Sequence, residues 1–258
     1  MRVGASEGHT VLDAARAAVQ VDAGVSPTSP VAIWGFSQGG HAAAFAAELA
    51  PTYAPELPIK GAVIAAPVSN VAHFAARAEV RADQVGVLVT IVGSFARAYP
   101  RLDPATVFTP EVVGQLGELE QRCIGDINTF FDRPLDTTIK ARATEQPEYQ
   151  RRFAENEAGQ AAPAVPALVL QGGADDIVDP ADTRAFVGRW CALGVTTQSV
   201  VREGVGHGVF DTDPVVAWTA DRFAGRPAPD DCSTTSPGST PGSSPGTSPG
   251  SSPGTTRG

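Results

Sequence analysis

Four short apolar runs punctuate this chain, at residues 31–36, 60–66, 166–172 and 197–201. A continuous apolar run of this length reads as a strand buried on both faces. The stretches around them carry apolar residues at helical spacing. Helices are expected over residues 11–19, over 38–49 with a stop before Pro51, over 182–193 up to Gly194, and over 214–224 up to Gly225. Strands alternating with helices predict an α/β fold with a mostly parallel sheet of about four strands, covered on both faces. Residues 68–165 interrupt the alternation with mixed helical pattern and far exceed an ordinary βα connection. They read as a helical insertion placed as a cap or lid. The chain then divides into 1–67 and 166–232 as core, 68–165 as cap, and 233–258 as tail. In the tail Pro237, Pro241, Pro245, Pro249 and Pro253 each precede a glycine, and no apolar side chain is available to offset ordering entropy. Disorder is expected there.

The first apolar run ends in Gly35-Phe36-Ser37-Gln38-Gly39, a G-x-S-x-G segment followed by the small-residue run His41-Ala42-Ala43-Ala44. With 27 glycines the bare pattern arises easily by chance. Its weight comes from the strand before and the helix after, the context in which a sharp turn exposes a nucleophilic serine. Gly35 and Gly39 are expected where a Cβ would clash. The Gln38 backbone N–H, at the start of a helix, is a candidate oxyanion donor.

A serine nucleophile needs a base and an orienting acid. The third strand runs into Gly172-Gly173-Ala174-Asp175-Asp176-Ile177-Val178-Asp179-Pro180, which offers Asp175 first, with Asp176 and Asp179 as alternatives and one of the three available to cap the following helix. The fourth strand runs into Gly206-His207-Gly208. The order Ser37, Asp175, His207, each member after a strand, suits acyl transfer. His9 precedes the whole arrangement, His41 sits one turn after Ser37 where it would pack or cap locally, and His73 lies in the insertion. No H-E-x-x-H, Cys/His cluster or phosphate-binding glycine loop occurs, so no metal or cofactor is expected. A net charge of −9 argues against nucleic acid as a partner. No apolar run of 18 residues predicts a transmembrane segment.

At these residues the chain resembles the secretory lipases of the lipase A type. The resemblance rests on Gly35-Phe36-Ser37-Gln38-Gly39-Gly40, Ala50-Pro51-Thr52-Tyr53-Ala54-Pro55-Glu56-Leu57, Gln171-Gly172-Gly173-Ala174-Asp175, Trp190-Cys191-Ala192-Leu193-Gly194 and Trp218-Thr219-Ala220-Asp221-Arg222-Phe223-Ala224-Gly225. It implies an α/β-hydrolase with a helical cap, secreted, hydrolysing triacylglycerols and other acyl esters, with Ser37, Asp175 and His207 at the triad positions and contact with a lipid interface. A polyester or short-chain esterase and an acyltransferase on the same scaffold remain open.

The resemblance breaks at the N-terminus. Such folds place about four strands before the elbow strand, whereas only about 30 residues precede Val31. The expectation is a chain that begins part-way into the fold, without its signal peptide and without the second oxyanion donor, whose loss typically costs about 10²–10³ in rate. The elbow strand would then lie at a sheet edge, and a non-catalytic remnant is the competing outcome. Cys191 and Cys232 are candidates for a disulfide worth roughly 3–4 kcal/mol in the loop-entropy model. Cys123 is left over, either as a buried free thiol or, as the resemblance implies, as the partner of a cysteine upstream of the elbow.

Overall fold

The computed structural model describes residues 3–21, 24–208 and 211–232. The tail over 233–258, where disorder was expected, lies outside them. Helix α1 (Gly4–Ala18) leads into strand β1 (Val31–Phe36), helix α2 (Gln38–Tyr53) and strand β2 (Ile59–Ala65). Six helices follow: α3 (Val71–Ala78), α4 (Val85–Ala98), α5 (Pro110–Gly114), α6 (Ile124–Phe130), α7 (Leu135–Thr138) and α8 (Pro147–Glu155). Strand β3 (Ala167–Gly172), helix α9 (Pro180–Ala192), strand β4 (Thr197–Arg202) and helix α10 (Thr212–Phe223) complete the described fold. The strands pair in parallel in the order β1-β2-β3-β4.

Period-2 alternation distributes the strand side chains between two layers. Ile33, Ala62, Ile64 and Val169 face the alanines of α2 and Phe186 and Trp190 of α9. Small side chains on α2 let its backbone approach the sheet closely. Val63, Ala65, Leu168 and Leu170 face Val215 and Trp218 of α10. The helices between β2 and β3 bury their own cluster, including Phe95, Phe108, Phe131, Tyr149 and Phe153. Among the described residues β1 pairs with β2 alone, and its Trp34 and Phe36 are exposed.

Two helices run further than their patterns predict. Helix α1 starts at Gly4 instead of residue 11 because Gly4 and Gly8 are contact points. A Cβ on Gly4 would stand 2.4 Å from the Phe45 ring, and one on Gly8 2.9 Å from Leu49. Helix α2 continues through Pro51. Proline removes one N–H, but in the final turn that forfeits a single bond, and Ala54 N still donates to Ala50 O at 3.0 Å.

Hydrogen bonding continues past the strand ends. Ser37 N donates to Ala65 O (2.9 Å), Ala66 N to Leu170 O (2.8 Å) and Gly173 N to Arg202 O (2.8 Å). The segments after β1, β3 and β4 therefore leave the same carboxyl edge of the sheet, where a site on a parallel α/β fold is built.

Candidate active site

Ser37 holds φ 56° and ψ −118°, a conformation that side-chain-bearing residues rarely adopt. Such strain costs of order 1–3 kcal/mol and persists only where the surroundings enforce it. Close packing of the turn does so: a Cβ on Gly35 would lie 1.8 Å from Gly39 O, and one on Gly40 2.7 Å from Ala65 O. Gly39 differs from expectation, because a Cβ there would meet nothing within 4 Å. The turn needs Gly35 and Gly40 to lack side chains, while Gly39 contributes its carbonyl to the contact. Gln38 begins α2 directly after Ser37, and no side chain caps that helix end. Its first N–H groups have no intrahelical partner.

His207 bridges the serine and an acid. Its Nε2 lies 3.0 Å from Ser37 Oγ and its Nδ1 2.8 Å from Asp175 Oδ2. Asp175 is buried, and its Oδ1 accepts from Ile177 N and Val178 N, both at 2.9 Å, while Gln171 Nε2 donates to Oδ2 at 3.1 Å. Burial pushes the Asp175 carboxyl up. The hydrogen bond from His207 and those from the Val178 and Ile177 N–H groups outweigh it and hold the carboxyl below the usual carboxylate range. An ionised Asp175 only accepts, so His207 Nδ1 donates to it and Nε2 is left to accept from the serine hydroxyl. The two alternatives do other work. Asp176 is exposed, and its carbonyl receives Arg77 and Arg81. Asp179 caps α9, accepting from Ala181 N at 2.8 Å.

Two glycines bring the acid loop against the histidine loop. Cβ atoms on Gly172 and Gly173 would stand 2.5 Å from Val205 O and 2.8 Å from the Glu203 carboxylate. Ala174 N donates to Val205 O at 2.9 Å across the same junction. Beside His207 the Phe36 ring lies 4.8 Å away, centroid to centroid.

A cavity of about 270 Å³ opens onto the three side chains' meeting point. Ser37, Gln38 and His207 line one part of it, and Val68, Phe74, Val87, Ile91, Ile124 and Ile177 much of the rest. A larger cavity of about 650 Å³, lined in part by Ser6, Gly93, Arg97 and Glu120, contains none of the three side chains, so chemistry rather than volume marks the smaller one. Among the described residues no cluster of His, Cys, Asp and Glu could hold a metal.

The remaining candidates fall as follows. Cys191 and Cys232 form a disulfide, tying the end of α9 to the segment after α10. Cys123 is a free thiol, exposed instead of buried, at the residue preceding α6. His73 pairs with Asp182 at 2.7 Å, and His9 stacks on Tyr53. His41, expected to pack or cap locally, is wholly buried and bonded to Glu7, which no sequence pattern singles out.

The family model described as Secretory lipase matches residues 1–231. The chain belongs to the secretory lipase family. Its relatives include the "Probable inactive lipase MT1628" of Mycobacterium tuberculosis (strain CDC 1551 / Oshkosh), 31% identical over 238 residues, 86% of this chain and 52% of the relative. Lipase A of Arthroderma benhamiae (strain ATCC MYA-4681 / CBS 112371) is 28% identical over 242 residues, 89% of this chain and 51% of the relative. The secretory lipase chain thus spans about half the length of the curated relatives it matches. In fold it is similar to Candida antarctica lipase A, with a TM-score of 0.78 at 20% identity over 89% of this chain and 56% of that one. The cell wall degrading esterase LipA from Xanthomonas oryzae follows at a TM-score of 0.64 and 17% identity, over 80% of this chain and 59% of that one. The chain's parallel sheet with flanking helices is that of the α/β-hydrolase fold.

Proposed function

We propose that this secretory lipase relative is a serine carboxylic-ester hydrolase that cleaves acyl esters, triacylglycerols among them, through an acyl-enzyme. The observation that carries the reading is His207, held between a strained serine at a helix N-terminus and a buried acid whose carboxyl stays ionised. Ser37 Oγ attacks the ester carbonyl carbon as its proton passes to His207 Nε2. Asp175 orients the ring through Nδ1 and stabilises the imidazolium. The tetrahedral oxyanion takes a hydrogen bond from Gln38 N–H at the positive end of α2. Collapse expels the alcohol, which takes its proton from His207. Water, deprotonated by the same nitrogen, then attacks the acyl carbon, and the carboxylic acid leaves with Ser37 restored.

The apolar wall of Phe74, Val87, Ile91 and Ile124 suits the acyl group. These residues come from α3, α4 and the start of α6, which supports residues 68–165 as a cap over the core formed by 1–67 and 166–232. At about 270 Å³ the cavity lies near the lower edge of the roughly 300–1,000 Å³ usual for small-molecule sites, favouring a short or medium acyl chain inside it. The Cys191–Cys232 disulfide supports an extracellular location, because such bonds persist in oxidising compartments.

Turnover of p-nitrophenyl acetate, butyrate, octanoate and palmitate by the full chain tests the reading. Hydrolysis with an optimum below palmitate, abolished in Ser37→Ala, is expected. Absence of turnover on every ester, or undiminished turnover in Ser37→Ala, contradicts it. A second reading, a non-catalytic member of the family, is favoured by the name of the mycobacterial relative, and an inert wild type supports it.

A further inference from the structure

The first turn of α2 is held by a second carboxylate–imidazole pair that the ester chemistry does not use. Glu7 of α1 and His41 of α2 are 6% and 0% exposed. Glu7 Oε2 lies 2.8 Å from His41 Nδ1, and Glu7 Oε1 accepts from Gln38 Nε2 at 2.7 Å. On its far side His41 Nε2 lies 2.9 Å from the Asn156 carbonyl oxygen, and Asn156 Oδ1 accepts from Gly4 N at 2.7 Å.

The partners dictate where the protons sit. A backbone carbonyl only accepts, so His41 Nε2 carries a hydrogen and donates. The Gln38 amide nitrogen only donates, so Glu7 Oε1 accepts. One proton remains for the Oε2–Nδ1 contact, shared as carboxylate with imidazolium or as carboxylic acid with neutral imidazole. In both forms the pair is neutral and each of its four polar atoms has a partner. No net charge is therefore buried behind the oxyanion donor, where a lone carboxylate would oppose the negative charge formed in the reaction.

The turn needs an outside hold. Ser37 is strained, its side chain does not cap the helix, and Gly39 and Gly40 follow within the first turn. Each glycine costs about 1 kcal/mol of helix propensity relative to alanine. Gln38 and His41 are three residues apart, on one face of α2, and Glu7 grips both. We infer that Glu7 is a positioning residue for the reaction: by clamping the Gln38 side chain and His41 it fixes the first turn of α2 and aims the Gln38 N–H at the oxyanion. This rests on the acyl-ester reading of Ser37.

The test compares Glu7→Ala, Glu7→Gln, Gln38→Ala and the Glu7→Ala/Gln38→Ala double variant in the full chain. Readouts are kcat and KM on p-nitrophenyl butyrate, the rate of fluorophosphonate labelling, and Tm. Glu7→Ala and Gln38→Ala are expected to lower kcat and labelling rate roughly 10- to 100-fold with KM unchanged, the scale of a misplaced catalytic group. The double variant should lose no more than the worse single one, because both act through one contact. Glu7→Gln should restore kcat, since the introduced amide accepts from Gln38 and donates to an unprotonated His41 Nδ1. A Glu7 that serves structure alone would lower Tm while leaving kcat per labelled site at the wild-type level, and that result overturns the inference. If Glu7→Ala does not fold, Gln38→Ala decides, and full kcat in that variant overturns it equally. A wild type inert to the fluorophosphonate overturns the reading of Ser37 and the inference with it, whereas a reactive wild type matched by equally reactive variants overturns the inference alone.

Discussion

Two carboxylate–imidazole pairs meet the first turn of α2, and their contacts are equally short. Asp175 and His207 lie 2.8 Å apart, as do Glu7 and His41. They differ in what the far nitrogen meets. His207 Nε2 faces the Ser37 hydroxyl at 3.0 Å, which can give up a proton, while His41 Nε2 faces the Asn156 carbonyl at 2.9 Å, which cannot. The carboxylates differ as well: Asp175 Oδ1 accepts from two backbone N–H groups, whereas Glu7 Oε1 accepts from the Gln38 side chain. Carboxylate–imidazole contacts of the same length thus face a group that can release a proton in one place and a fixed acceptor in the other.

The largest effect that would break this contrast concerns the imidazoles. His207→Ala should cut ester turnover by on the order of 10⁶. Its Tm should stay near the wild-type value, because the His207 ring keeps partial solvent access. A His207→Ala enzyme with near-normal kcat would remove the distinction altogether. Asp175→Asn is expected to lower kcat by about 10⁴, the scale seen when a triad acid loses its hold on the tautomer. Its acid limb should change too. Because the Asp175 pKa is depressed in the folded state, its stabilising contribution is whole above the unfolded value near 3.9 and is lost as pH falls through the folded value. Between pH 5 and 2, wild-type Tm should therefore fall more steeply than that of Asp175→Asn, as thermal melts across that range will show.

His41→Ala should invert the pattern. Leaving Glu7 buried without its imidazole costs on the order of 3–5 kcal/mol in urea unfolding, while the fraction that remains folded still forms the fluorophosphonate adduct, more slowly than wild type because half of the Glu7 clamp is gone. A stable His41→Ala protein would mean that the second pair braces nothing. The smallest expected effect is at one of the two elbow glycines. Gly39→Ala should be neutral or stabilising by up to about 1 kcal/mol, because a helical position gains propensity where a Cβ meets open space. Gly35→Ala, whose Cβ would sit 1.8 Å from a carbonyl oxygen, should fail to accumulate as folded protein. Equal melting temperatures for the two variants would show that the elbow is looser than its geometry.

The same contrast explains what could be read from the sequence. Each of the four strands announces itself as a short apolar run, and Asp175 and His207 follow directly on strand ends, where parallel strands deliver side chains to one edge. Glu7 and His41 carry no such mark. They sit on different helices, and Gly4 and Gly8 look like helix-breaking residues until Phe45 and Leu49 are seen to occupy the space their side chains would need. Periodicity likewise stops α2 at Pro51, because pattern alone does not count how many bonds a terminal proline forfeits. Cys123 lies exposed ahead of α6 instead of buried, a tertiary outcome that spacing does not encode.

The central claim is that Ser37, and not another hydroxyl, is the nucleophile activated by His207. Intact-protein mass spectrometry after fluorophosphonate treatment, with the adduct mapped by peptide sequencing, tests it most directly. A single adduct on Ser37 in the wild type, absent from Ser37→Ala and strongly reduced in His207→Ala but retained in folded His41→Ala, is the predicted result. No adduct, an adduct on another residue, or one insensitive to His207→Ala would contradict it.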